Sequence, residues 1–225
     1  MVNDLIFALL FALLLVFALV FHSNFRLFVK MVRDVFFIKN RLSLFENIDG
    51  NETVFRSFMI FQSLFLTSLI LFLSSRIYGY IGDFDLGTNL AVIGLVFVIL
   101  FALYLLKQIL YSMLGAIFAT DEQYSAWRMG YAAATGFWGV LLYLPVLWLA
   151  FIETQPRIPI IMFVFLYVFW RLIIIYKTIC IFNIKGVAFL YIILYLCAQE
   201  ILPLIFLYEG IFYLCNFIDG IAIWR

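Results

Sequence analysis

Glu200 is an ionisable group set inside a long apolar run, Tyr191-Ile-Ile-Leu-Tyr-Leu-Cys-Ala-Gln-Glu-Ile-Leu-Pro203. A charge at that position is costly in lipid unless it is protonated, paired or turned toward water, which makes it a functional candidate on physical grounds. Pro203 follows three residues later; it cannot donate to the carbonyl of Gln199, and its ring pushes that carbonyl aside. A carboxyl group and a freed backbone oxygen are therefore expected side by side. Tyr195 and Gln199 continue from Tyr191 at a spacing of four, a polar-tipped stripe along one helix face. The chemistry open to such a set is proton or ion handling. The alternative is a hydrogen bond to a neighbouring helix that specifies packing.

Other chemistry is poorly supplied. The chain has one histidine, His22, and three cysteines, Cys180, Cys197 and Cys215, all in apolar context. No spacing among them suits a metal, a disulfide or a haem, so no cofactor is expected. Intramembrane proteases and lipid-phosphate enzymes need clustered His, Asp and Arg, which the sequence does not offer. Glu200 and Glu209 are nine residues apart, about 13 Å along a helix, too far to share a proton. No catalytic residue is assigned, and the protein is read as non-enzymatic.

The elements that position Glu200 follow from composition. Hydrophobic residues are 68% of the chain and charged ones 12%, against roughly 25% charged in soluble domains; Phe alone occurs 28 times. A single soluble core of this length cannot hide so much apolar side chain, so lipid must cover part of it. The net charge of +1 excludes a nucleic-acid-binding surface. The expected fold is an all-α integral membrane protein, one polytopic domain over 1–225. Apolar spans are expected near 5–21, 55–73, 89–106, 132–152, 158–175 and 187–213. The first carries Asp4 before it and no basic residue or small-x-small site, so it reads as an anchor rather than a cleaved signal.

Between the first two spans, 25–38 places Arg26, Lys30 and Arg33 at helical spacing, opposite Leu27, Phe28, Met31, Val32 and Val35. This predicts an amphipathic helix with a basic face lying in the headgroup region, as a docking surface or as a solvated connector. Gln62, Ser63, Thr67 and Ser68 in the second span are expected to bond carbonyls of their own helix or a neighbouring one. Lys107 interrupts the third apolar segment and is expected to snorkel to the headgroups. In the fourth, Ala132, Gly136 and Gly139 allow close approach of another helix, and Pro145 predicts a kink. Helix rise puts Arg171 and Glu200 about 10 Å apart in depth, within reach of long side chains directly or through one water.

Of the fourteen Lys and Arg, eleven fall on or near one side if the connector between the first two spans is cytoplasmic; only Arg76, Arg157 and Arg225 fall on the other. The positive-inside rule then sets both termini outside. The two halves of the chain share no residue pattern, so no inverted repeat is indicated.

The run 195–203, with Tyr176-Lys177 before it and Arg56-Ser57-Phe58 opening the second span, resembles an uncharacterised multi-pass inner-membrane family of Bacteroidetes-type bacteria, a domain of unknown function. The resemblance implies a bacterial inner membrane and brings no activity with it. Expected partners are the lipid bilayer and other inner-membrane proteins. Two functional classes remain in front: a subunit or assembly factor of a membrane complex, serving envelope biogenesis or protein export, and a small proton- or ion-coupled transporter built on Glu200 and Pro203.

Overall fold

The computed structural model describes residues 2–36, 50–79, 86–118, 121–152 and 155–182. The span expected at 187–213 lies outside them, and with it Tyr195, Gln199, Glu200 and Pro203.

The described residues form six helices: α1 Val2–Ser23, α2 Phe25–Phe36, α3 Gly50–Ile77, α4 Leu86–Phe118, α5 Asp121–Phe151 and α6 Arg157–Phe182. All but α2 are long and apolar enough to cross a membrane. The backbone reason is general: in lipid every amide must be satisfied within its own segment, and a helix does this unaided. Hydroxyls in α3 follow the same logic. Ser63 donates to the Ile60 carbonyl at 2.8 Å, Thr67 to Ser63 at 2.6 Å and Ser68 to Phe65 at 2.7 Å, so these polar groups stay within their own helix. Helix α5 is continuous across Pro145. Gly79 follows the end of α3 at φ 75°, a left-handed conformation that side chains disfavour.

Helices α3 and α5 form the centre. About 61% of the α3 span and 56% of the α5 span is buried, against 11–17% for α1, α4 and α6, which present Phe, Leu and Val rows outward. Soluble helices bury one stripe; here the outward rows are as apolar as the core, as a lipid-facing helix requires. The two central helices meet at Gly136 and Gly139. A methyl group on Gly139 would lie 2.6 Å from Ser63 Cβ, and one on Gly136 2.9 Å from Met59 Cβ. Ala132 is half-buried, and its neighbour Ala133 is the fully buried small residue of this region.

The chain breaks direction at Asn24. Its amide donates to Val20 at 3.0 Å and its side chain reaches the same carbonyl at 3.2 Å, closing α1, while its own carbonyl accepts from Phe28 at 3.1 Å to start α2. The expected amphipathic helix is present, and protein covers part of its apolar face. Met31 and Val35 are buried with Phe55, Met59 and Ala133 in a second apolar cluster, so α2 packs under α3 and α5. Protein rather than lipid takes its apolar face because Gly136 leaves room for the Met31 sulfur.

Candidate functional site

One end of the bundle gathers the start of α3, the start of α5, the end of α6 and the whole of α2, and the charges meet there. Arg56, nearly two turns into α3, is the hub. Its Nε donates to Glu52 Oε1 at 3.1 Å; its Nη2 donates to the same oxygen at 2.7 Å and to Asp34 Oδ2 at 2.8 Å. Its Nη1 donates to the Met129 carbonyl in α5 at 3.0 Å. Lys30 Nζ pairs with the other oxygen of Glu52 at 2.9 Å. Lys177, from the last turns of α6, donates to the main-chain carbonyl of Asp34. That carbonyl belongs to the final turn of α2, where the helix dipole favours a cation.

The cluster is enclosed: the side chains of Glu52 and Arg56 are 6% and 10% exposed. The planar guanidinium suits the hub because it reaches three helices with fixed, divergent donors. Glu52, four residues before Arg56, lies on the same face and supplies the intrahelical half. Beside the cluster, Trp127 Nε1 donates to Thr178 Oγ1 at 3.0 Å, and the Trp127 ring lies 4.2 Å from that of Tyr111, tying α5 to α6 and α4.

Deeper between the helices is a cavity of about 240 Å³ between α3, α4, α5 and α6. Leu64, Leu71, Leu100, Leu103 and Phe163 give it apolar walls, Trp138 and Trp170 aromatic ones, and Lys107 and Arg171 two cations. Arg171 is held by its own helix: Nε and Nη2 both donate to Tyr167 Oη, at 2.8 and 2.6 Å. Its guanidinium carbon also lies 4.9 Å from the centre of the Tyr167 ring and 4.5 Å from that of Trp170. Trp170 in turn stacks on Trp138 at 4.7 Å.

The residues expected from sequence divide as follows. Arg171 lies in the cavity wall, and its described contacts are Tyr167 and Trp170; its expected partner Glu200 is outside the described residues. Lys107, expected at the headgroups, is 6% exposed and lines the same cavity. It sits one turn before Tyr111, whose ring lies against that of Trp127. Arg26 and Arg33 are exposed on α2, whereas Lys30 leaves that basic face for Glu52. The sequence pattern does not predict the Asp34–Glu52–Arg56 cluster. Its one readable signal was Glu52 and Arg56 at a spacing of four, just where an apolar span begins.

Five apolar crossing helices, a central pair closed by glycines and a cluster of ion pairs at one end define an all-α integral membrane protein. The chain belongs to a family: the model described as Domain of unknown function (DUF4271) matches residues 6–211, nearly its whole length. No curated protein and no solved structure matches it.

Proposed function

We propose that this protein is a non-enzymatic component of a bacterial inner-membrane complex that offers α2 as a rigid docking platform. The observation that supports this reading is the clamp on α2. Asp34 and Lys30 are tied to Arg56 and Glu52, Lys177 caps the last turn, and Met31 and Val35 are buried. A connector would need no such anchoring. What the clamp leaves outward is Phe25, Arg26, Val29 and Arg33, an exposed apolar and basic face at the end where most of the Lys and Arg lie. Its complement is an acidic, partly apolar segment of another membrane protein. In a mild-detergent purification from cells, the wild-type chain is expected to bring a stoichiometric partner. The double variant R26E/R33E, which leaves the clamp intact, is expected to lose that partner while keeping its own melting temperature. A chain that runs alone in both forms overturns the reading.

A second reading, a small proton- or ion-coupled transporter, is favoured by Lys107 and Arg171 at membrane depth together with the Glu200 and Pro203 pattern. It ranks behind because the cavity walls are largely apolar, unlike a hydrated ion path. Under it, E200Q and E200L both abolish proton or ion flux in liposomes at normal protein levels. Under a packing role for Glu200, Gln is tolerated and Leu lowers abundance.

A further inference from the structure

We propose that the outward face of α2 takes a single helix of the partner protein, with two acidic residues seven positions apart, one against Arg26 and one against Arg33. An apolar residue between them rests against Val29. This rests on the docking reading above and names the chemistry of the partner.

The first support is spacing. Arg26, Val29 and Arg33 are three and four residues apart, so they fall on one side of α2, with Phe25 beside them. Seven residues are two turns, so the arginines stand about 10.5 Å apart along the axis. Met31 and Val35 leave from the opposite side, into the second apolar cluster. The inner face of α2 is thus fixed by packing, while the outer face carries two cations flanking a valine. Phe25 and Val29 are 55% and 50% exposed.

The second support is charge. Lys30 and Asp34, on the flank of α2, are drawn to Glu52 and Arg56, which leaves Phe25, Arg26, Val29 and Arg33 as the exposed residues described in this helix. Among the described residues neither Arg26 nor Arg33 has an ion pair or a hydrogen bond. A second copy of this face would set arginine against arginine, so self-pairing is disfavoured and an acidic partner is favoured.

The third support is shape. An extended segment would match the separation of the arginines with acids about three residues apart. A helix surface, however, offers such a segment no backbone edge to pair with, and its amides would stay unsatisfied near the membrane. A helix satisfies its own amides and can repeat the seven-residue spacing of α2. Phe25 and Val29, four apart, form the kind of ridge that enters the groove of a neighbouring helix. The Lys30, Asp34 and Lys177 contacts hold α2 in place beforehand, so little further ordering is needed on binding.

The test uses the full chain in nanodiscs of zwitterionic lipid and fluorescent helical peptides, with binding read by anisotropy. One peptide carries two glutamates seven apart beside an apolar seam; a second has the same composition with the glutamates five apart, on different faces. The first should bind about tenfold tighter, the scale of two exposed ion pairs. R26E/R33E should lose this preference, and a peptide with lysines in place of the glutamates should regain it on that variant. V29S, which keeps both arginines, should weaken binding about fivefold. Equal binding of the two spacings, or no gain by the lysine peptide on R26E/R33E, overturns the proposal. So does loss of the preference in nanodiscs of anionic phosphatidylglycerol, which would assign the face to lipid headgroups. If the proposal fails while R26E/R33E still loses a partner in cells, the docking reading stands without it. If the spacing preference holds and no partner is found in cells, the helix-binding face stands and the reading as a complex component falls.

Discussion

Arg56 shows what a single side chain does in this molecule. It enters the enclosed end of the bundle with a carboxylate from its own helix, a carboxylate from α2 and a carbonyl from α5. Burying charge is costly, and such clusters add little net stability when compared with apolar replacements of the same shape; removing one member is another matter, because it strands the others. R56M is therefore expected to lower stability by about 3–5 kcal/mol, leaving Asp34 and Glu52 short of their main partner. R56K should rescue only part of this, because an ammonium cannot hold three divergent acceptors in a plane. Thermal unfolding in detergent, followed by the loss of the monodisperse peak, measures both. An R56M variant that melts with the wild type would mean that Met31 and Val35, with the Lys30–Glu52 pair and the Lys177 cap, hold α2 without Arg56. Gln62 poses a related question: it is fully buried in α3, and its side-chain amide has no hydrogen-bond partner among the described residues.

At the level of elements, the α3–α5 pair is the contact on which the others are hung. Gly139 approaches Ser63 so closely that an added methyl would meet Ser63 Cα at 2.9 Å, a backbone atom that cannot swing away. G139A should therefore separate the helices and cost about 1–3 kcal/mol, the usual range for overpacking. Gly94, on the outer α4, has nothing within 4 Å of the same methyl, so G94A serves as a control and should be neutral or mildly stabilising in the same melt. Equal melting of G139A and the control would deny that close approach sets this interface. These elements were legible in the sequence because hydropathy and small residues are local signals. The placement of α2 was only half legible. Its period announced an amphipathic helix, yet whether lipid or protein takes the apolar face depends on the space left by Gly136 in an element more than a hundred residues away. Lys107 is a similar case: a lysine at the end of a span snorkels by default, and its burial depends on packing between elements that the local sequence does not display. Asp34 and Glu52 gave no sign of sharing Arg56, since ion pairing across elements leaves no periodic trace.

For the whole molecule, the arrangement of charge becomes geometric. The helix ends that meet at the cluster bring Arg26, Lys30, Arg33, Arg56, Arg128 and Lys177 to one end, while Arg76 and Arg157 stand at the ends of α3 and α6 that point the other way. Crossing helices that alternate in direction, with short connections, allow only two orientations in a membrane. The positive-inside rule favours the one that puts α2 and the cluster in the cytoplasm. The Lys and Arg counted lie close to span ends, where they weigh on orientation during insertion, and the acidic partners of the cluster contribute little. A reporter inserted near Asp49 should be active only if it works in the cytoplasm. One inserted at Gln155, in the turn between α5 and α6, should be active only if it works outside, as should one fused after Arg225 if the span expected at 187–213 crosses. The Gln155 and Asp49 results test the described helices alone, and the Arg225 fusion tests the remaining span. Opposite results at both Asp49 and Gln155 would invert the molecule and put the exposed face of α2 beyond the reach of any cytoplasmic partner. A single discordant result at Arg225 would leave the five described crossings in place and remove only the sixth.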